Sequence, residues 1–237
     1  MISSTTAITS DPSYQTCLGR EKMTTNNSED HIYVVLVRAL TGLGSFARKI
    51  TGYEYTHISV CLDDKLDDFV SFSRKKHSAP FDSGFMHETL DCYAFGKNEK
   101  VKLKVFKVPV SVENKQSILK FIDEIEGDEE YLFNIFSMVT MGFLHGFMIY
   151  KAHNCMSFVG KIISLTGAVP MDKKYYKYDI PSMDRLLKDY VYKEDYFYKT
   201  EIKTPDYMEK CSVLRNIGMF FSLVGRLVYR MTPWGRG

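Results

Sequence analysis

The stretch Thr56-His57-Ile58-Ser59-Val60-Cys61-Leu62 decides how the first half of the chain folds. It alternates polar or small residues with branched apolar ones, which is the period of a strand with one buried face. The turn Asp63-Asp64-Lys65 follows, and Asp68-Phe69-Val70-Ser71-Phe72-Ser73 repeats the strand pattern. The three segments together predict a β-hairpin.

Other segments of the first half also have strand character. Residues 32–37 form a continuous β-prone run of the kind found in the middle of a sheet. Residues 85–90 and 101–108 are further strand candidates, and residues 46–50 are expected to form a short helix. The first half is therefore predicted to be mostly antiparallel sheet.

The second half changes to helical periodicity. Ser111 is a suitable N-cap, and apolar residues at helical spacing follow it as far as Ile125. Further helices are predicted over residues 131–143, from Asn154 onwards, over residues 181–187 and over residues 214–228. Strands first and helices after predict an α+β fold, with an antiparallel sheet followed by helices packed on it.

The length of 237 residues fits one domain with additions at its ends. Residues 1–30 are polar and aperiodic, and we expect a disordered N-terminal tail there. Residues 31–200 are expected to form the domain, and residues 201–237 a C-terminal extension with an amphipathic helix.

Composition excludes several classes of function. Lys and Arg number 31 against 29 Asp and Glu, so there is no basic excess of the kind that nucleic-acid binding requires. The five cysteines are widely spaced without a C-x-x-C pair, which argues against a disulfide framework or a zinc knuckle. The polar start lacks the apolar core of a signal peptide, so we expect a cytoplasmic protein. No cofactor and no metal are expected.

Cys155 is the candidate nucleophile. Asn154 is a favoured N-cap residue, which would place Cys155 in the first turn of an apolar helix. The positive end of the helix dipole favours a thiolate there, and the free N–H groups of the same turn could bind an oxyanion. The alternative is a buried, inert cysteine.

His57 is the candidate general base. It lies on the predicted strand with Ser59 and Cys61 on its side, while Ile58 and Val60 point the other way. A histidine that meets a cysteine at a helix start has the arrangement that activates a thiol. The alternative is a hydrogen-bonded structural histidine.

These residues belong to motifs that resemble a known superfamily. The motifs are residues 55–63, residues 71–75, Gly84-Phe85 with Glu88, and Asn154-Cys155-Met156-Ser157-Phe158-Val159. They are similar to the circularly permuted branch of the NlpC/P60 papain-like superfamily, which includes YiiX/YebB-like proteins and the lecithin:retinol acyltransferase group. In that branch the histidine strand precedes the cysteine helix, as it does here. The resemblance covers roughly residues 32 to 190 and implies a permuted papain-like fold.

The resemblance also implies a third polar residue that orients the imidazole. The acyltransferase group has a second histidine twelve residues after the first, where this chain has Phe69. Ser71 and Glu88 are the two candidates for that role, and the sequence leaves both open. The acyltransferase motif reads Asn-Cys-Glu-His, whereas Met156 and Ser157 follow the cysteine here. Both departures favour a hydrolase over a lipid acyltransferase.

Three residues inside the matched motifs are candidates for substrate binding. They are Asn154, Arg74 and Tyr55. Arg74 begins a run of three basic residues that could hold a carboxylate or phosphate, although a solvated charge run is the plainer interpretation. His145 and His153 lack the spacing of metal ligands.

The sequence thus predicts a cysteine-dependent hydrolase of amide bonds (peptide or isopeptide) or ester bonds, acting through a thioester. The first alternative is a lipid acyltransferase or thioesterase that acts on a lipid ester at a membrane surface. Residues 213–231 favour that alternative if their basic amphipathic helix makes peripheral membrane contact rather than packing on the domain. The second alternative is a non-catalytic binding module with a degenerate site. The oligomeric state is left open.

Overall fold

The structure is a computed structural model, and it describes residues 30–40, 42–94, 98–199 and 207–236. The predicted tail lies outside the described residues except for its last position, Asp30, which already belongs to the first strand. The first strand therefore includes Asp30, one residue before the expected start of the domain at residue 31.

Six strands form one antiparallel sheet, and two short strands pair separately. The strands are β1 Asp30–Val37, β2 His57–Cys61, β3 Phe69–Lys76, β4 Ala79–Glu88, β5 Lys100–Val110, β6 Leu132–Phe133, β7 Ala152–His153 and β8 Val191–Tyr198. The order in the large sheet is β4-β3-β2-β1-β5-β8, with every neighbouring pair antiparallel. The predicted hairpin and the central position of residues 32–37 are confirmed.

The helices follow the predicted pattern closely. They are α1 Gly42–Thr51, α2 Leu90–Tyr93, α3 Val112–Glu126, α4 Ile135–Leu144, α5 Cys155–Thr166, α6 Ile180–Leu186 and α7 Val213–Met231. Ser111 caps α3 and Asn154 caps α5, as expected from their side chains. The α+β class with an antiparallel sheet and packed helices is confirmed.

The predicted start of one helix is wrong, and one strand of the six-stranded sheet was not predicted. The helix expected from residue 131 begins only after Asn134, because Leu132 and Phe133 pair with β7 as a buried strand. Strand β8 was not expected, since its residues are mostly exposed and charged or aromatic. Its pairing with β5 is reinforced by Glu194, which accepts a hydrogen bond from the Tyr55 hydroxyl (2.7 Å) and pairs with Lys102 (2.9 Å).

Apolar side chains form a separate core on each face of the large sheet. Ile58 and Val60 of β2 belong to the core that includes Phe158 and Ile162 of α5. The next residue of β2, Cys61, belongs to the other core, which includes α2 and residues such as Phe69 and Met86. The alternation predicted for this strand is confirmed, and α5 packs on its apolar side.

A third, smaller core joins α7 to the rest of the domain. Leu223 and Leu227 of α7 are buried against Leu132, Ile149 and Ala152. The C-terminal helix therefore packs on the domain through one face. Among the described residues, no helix combines the length and the apolar character needed to cross a bilayer.

Candidate functional site

The start of α5 places Cys155 at the first helical position, behind a complete capping box. The Asn154 side chain accepts from the backbone N–H of Ser157 at 2.8 Å, and the Ser157 hydroxyl accepts from the backbone N–H of Asn154 at 3.0 Å. The first intrahelical bond runs from Phe158 N–H to the Asn154 carbonyl. The N–H groups of Cys155 and Met156 thus precede the intrahelical ladder.

The His153 side chain packs in the core beside the start of α5 and contacts Ser157. Its ring lies among Phe72, Phe121, Tyr131 and Phe158, and its Nδ1 lies 3.2 Å from the hydroxyl of the capping-box serine. Burial, with a smaller contribution from the charge of Lys161, lowers the pKa of His153 to about 4. This histidine is therefore neutral at pH 7 and acts as a packing and hydrogen-bonding group.

His57 and Cys155 meet where their elements begin. His57 is the first residue of β2 and Cys155 the first of α5. The side chains interact closely enough for Cys155 to raise the pKa of the imidazole. Cys155 is 7% exposed and the His57 side chain is 14% exposed, so both lie just beneath the surface.

The second ring nitrogen of His57 is bound by a buried carboxylate. His57 Nε2 lies 2.9 Å from Oε2 of Glu88, the last residue of β4, whose side chain is 3% exposed. The same oxygen accepts a hydrogen bond from the Ser71 hydroxyl at 2.7 Å and another from the Tyr93 hydroxyl at 2.8 Å. With Nε2 engaged in this way, Nδ1 is the ring nitrogen left for Cys155.

Burial and the partner's charge shift the pKa values of His57 and Glu88 in opposite directions. Burial lowers the pKa of His57, but the negative charge of Glu88 and the contacts with Cys155 and Glu88 outweigh it and raise that pKa to about 10. Burial raises the pKa of Glu88, but the charge of His57 and the three hydrogen bonds hold it below its usual range. The pair is accordingly an imidazolium and a carboxylate at neutral pH.

Of the two candidates for the orienting group, Glu88 is the one that contacts the imidazole. Ser71 contacts Glu88, so it acts on the histidine only through the carboxylate. Both residues proposed from the sequence are thus brought together, in a series of contacts that runs from Ser71 to Glu88, to His57 and to Cys155.

Tyr93 is a part of the site that the sequence did not indicate. It lies at the end of the one-turn helix α2, donates to Glu88 and lies 3.2 Å from the Ser59 hydroxyl. Burial and the neighbouring charge of Glu88 raise the pKa of Tyr93 well above its usual value, so it remains a donor. No motif surrounds Tyr93, and only the folded chain brings it to the carboxylate.

The side-chain amide nitrogen of Asn154 is an unpaired donor group among the described residues. Because its Oδ1 accepts the capping bond, the amide nitrogen Nδ2 faces elsewhere, and it has no hydrogen-bond partner among the residues that the structure describes. Asn154 is fully buried, and an unpaired buried N–H group is costly unless it serves a ligand. The expectation that Asn154 contacts substrate remains a prediction, and this donor supports it.

The other two predicted substrate-binding residues have partners elsewhere. The Tyr55 hydroxyl is bound to Glu194 of β8, at the edge of the sheet. The Arg74 guanidinium binds the carbonyl oxygen and Nδ1 of His77, at 3.2 and 3.3 Å. Neither contact brings the residue to the cysteine, and their proposed roles remain predictions.

The described part of the chain contains no group of three His, Cys, Asp or Glu side chains placed to hold a metal ion. Comparisons with known protein families, with curated proteins and with solved structures find no match to this chain.

Proposed function

We propose that this protein is a cysteine-dependent hydrolase of amide or ester bonds, built on a permuted papain-like fold of the NlpC/P60 type. The observation that carries the proposal is the continuous series from a helix-start cysteine through a histidine to a buried carboxylate. Helix dipole, imidazolium and free N–H groups converge on one sulfur, which is the environment of reactive rather than structural cysteines.

In the proposed reaction, the Cys155 thiolate attacks the substrate carbonyl and His57 protonates the leaving amine or alcohol. The carbon–sulfur bond forms as the bond to the leaving group breaks, which gives a thioester. His57 then takes a proton from water, and the hydroxide displaces the Cys155 thiolate and releases a carboxylic acid, which restores the thiolate and the imidazolium. Glu88 keeps the imidazole oriented and stabilises its charged form throughout.

The start of α5 supplies donors for the tetrahedral intermediate. The backbone N–H of Cys155 is free of the helical ladder, and Asn154 Nδ2 is the buried donor without a partner among the described residues. In this proposal the two donors, one on the nucleophile itself and one on the residue before it, act as an oxyanion hole. In this proposal Asn154 binds the oxygen of the reacting carbonyl rather than a distant part of the substrate.

A lipid-directed acyltransferase or thioesterase is the second candidate. The exposed apolar residues of α4 and α7 favour it, because they would bring a lipid ester or an acylated protein to the site. Water as acceptor gives hydrolysis and a second alcohol or amine gives transfer, so the chemistry of Cys155 is the same in both cases.

Alkylation of the native protein tests the proposal. Iodoacetamide should label Cys155 faster than any of the other four cysteines, by at least about tenfold at neutral pH, because only the thiolate reacts. Cys211 is the control for accessibility, since it is more exposed than Cys155. Mass spectrometry of peptides after brief labelling gives both rates in one sample.

His57→Ala should slow the labelling of Cys155 to the rate of the other cysteines, whereas His87→Ala should leave it fast. The His87 ring contacts Asp68 at 2.9 Å and Glu126 at 3.3 Å on the surface, away from Cys155. If Cys211 is labelled first in the native protein, or if His57→Ala leaves the Cys155 rate unchanged, the chain is a non-catalytic module with the same fold.

A further inference from the structure

Exposed apolar side chains are concentrated on two elements that share the third core. On α4 and the loop after it they are Met138, Val139, Phe143, Leu144, Met148 and Tyr150. On α7 and the residues after it they are Val213, Leu214, Ile217, Phe221, Val228, Tyr229, Met231 and Trp234. We call these residues the α4–α7 surface. Large exposed apolar groups of this density mark an interaction site rather than an ordinary surface.

The apolar face of α7 is wider than the part that packs on the domain. Leu223 and Leu227 lie on the part that packs on the domain. Val213, Ile217, Phe221 and Val228 recur at helical spacing on the adjoining part of this face, where they are 47–73% exposed. The packing of α7 on the domain therefore leaves part of its apolar face uncovered.

The two sequence segments that carry this surface contain basic residues and no acidic ones. Residues 131–171 and 210–237 contain no Asp or Glu, while residues 210–237 contain five Lys or Arg. Arg215 and Arg226 are exposed on the polar side of α7, and Arg230 binds the carbonyl oxygens of Tyr150 and Lys151. The acidic residues Asp128 and Glu130, just before β6, are paired with Lys151.

We propose that the α4–α7 surface binds the interface of an anionic phospholipid bilayer. A helix with an exposed apolar face, cationic flanks and no acidic residue lies in the plane of such an interface. Exposed Tyr and Trp side chains at its end, here Tyr229 and Trp234, suit the headgroup level. The excess of positive charge favours the anionic lipid over a neutral bilayer or an apolar protein partner.

The start of α4 lies close to the proposed site along the chain and in space. The backbone of Asn134, the N-cap of α4, donates to the carbonyl of His153, two residues before Cys155. Met141 of α4 belongs to the same core as Cys155. Binding through α4 and α7 would therefore hold the cysteine at the membrane.

Flotation of the full chain with phospholipid vesicles tests this inference. The protein should float with vesicles of phosphatidylcholine containing about one third phosphatidylserine, and much less with phosphatidylcholine alone. The double variants Leu214→Ser/Phe221→Ser and Val139→Ser/Phe143→Ser should each reduce the bound fraction by at least about tenfold. Arg215→Glu/Arg226→Glu should reduce it and remove its sensitivity to salt.

Matched controls lie on and just before β8, at the edge of the sheet opposite β4. Tyr192→Ser/Tyr198→Ser changes exposed aromatic residues of β8, and Lys188→Glu/Lys193→Glu changes exposed charges. Both should float like the unchanged protein. Thermal unfolding of each variant shows whether it is folded, since the substituted side chains are largely exposed.

The inference is overturned if the unchanged protein does not float with anionic vesicles, or if the α4 and α7 variants float as well as it does. Light scattering that shows a dimer, lost in the same variants, would assign the surface to a second copy instead. Cys155→Ala should float normally, so a negative result here and a negative labelling result are separate findings.

Discussion

His57 and Glu88 are joined by a 2.9 Å contact although their strands, β2 and β4, are separated in the sheet by β3. The contact is possible because Glu88 ends its strand and because β3 places the small side chain of Ser71 between them. Ser71 then donates to the same carboxylate oxygen, so the intervening strand supports the contact instead of blocking it. The carboxylate is fixed by donors from three elements.

Glu88→Gln should change the titration of His57. Without the negative charge, burial is the main remaining influence, and the pKa of His57 should fall from about 10 to near or below its ordinary value of about 6.5. NMR of the imidazole protons measures this directly. Glu126→Gln, which alters the surface partner of His87, should leave His57 unchanged. A His57 that already titrates between pH 6 and 7 in the unchanged protein contradicts the pairing.

The His57–Glu88 pair should make the free energy of unfolding depend on pH in both the alkaline and the acid range. Because the pKa of His57 is raised in the folded protein, its contribution to the free energy of unfolding is complete below about pH 6.5. That contribution is lost as the pH rises through about 10. Because the pKa of Glu88 is lowered, its contribution is present above its ordinary value and is lost as the pH falls through the lowered one.

The free energy of unfolding, measured with urea at several pH values, should therefore differ most between the unchanged protein and Glu88→Gln near pH 5.5. We expect a difference of about 3 kcal/mol there, because one charge of a buried pair has been removed. The difference should shrink towards pH 10 and in strong acid. A difference that grows with pH would mean that His57 is neutral in the folded protein.

Tyr93→Phe and Ser71→Ala each remove one donor to Glu88. Both side chains are buried, so each change should lower the free energy of unfolding by about 1–2 kcal/mol at pH 7 and raise the pKa of Glu88. Tyr131→Phe is the matched control, because its hydroxyl bonds only to the exposed Glu124 at 3.4 Å among the contacts of the described residues. Equal effects of all three changes would show that Glu88 is not held by these hydroxyls.

Gly160 of α5 allows the helix to pack closely against the backbone of Tyr175. A Cβ at this position would lie 2.4 Å from the carbonyl oxygen of Tyr175, which belongs to the backbone and cannot move aside easily. Gly160→Ala should cost about 1–3 kcal/mol of stability. Gly142→Ala in α4 has nothing within 4 Å of the new Cβ and should stabilise the protein by up to about 1 kcal/mol. Thermal unfolding compares the two.

The elements that the sequence predicted correctly are those whose signal is local. Alternation in residues 56–62 and the capping residues Ser111 and Asn154 act on their own neighbours, so they locate β2, α3 and α5. Strand β8 has no such signal, because an exposed edge strand needs no apolar face. It is defined by its partner β5 and by ion pairs with residues far away in the chain.

The residues of the site also differ in whether a local sequence signal indicates them. Cys155 and His57 stand in recognisable local settings, whereas the choice between Ser71 and Glu88 depends on which of them reaches the ring across the sheet. Tyr93 joins the site from a single helical turn that carries no motif. Contacts of this kind are fixed by strand order and strand ends, which sequence periodicity does not encode.

Asn154→Ser separates the capping role of this residue from its proposed role in catalysis. Serine is an equally good N-cap, so α5 should keep its stability to within about 0.5 kcal/mol, whereas Asn154→Ala should lose about 1 kcal/mol. Serine has no counterpart of Nδ2, so acylation of Cys155 by an activated ester should slow by about 10²–10³-fold. Alkylation by iodoacetamide passes through no oxyanion and should be unaffected. If both reactions slow equally, Asn154 only positions the sulfur and the unpaired donor takes no part in the chemistry.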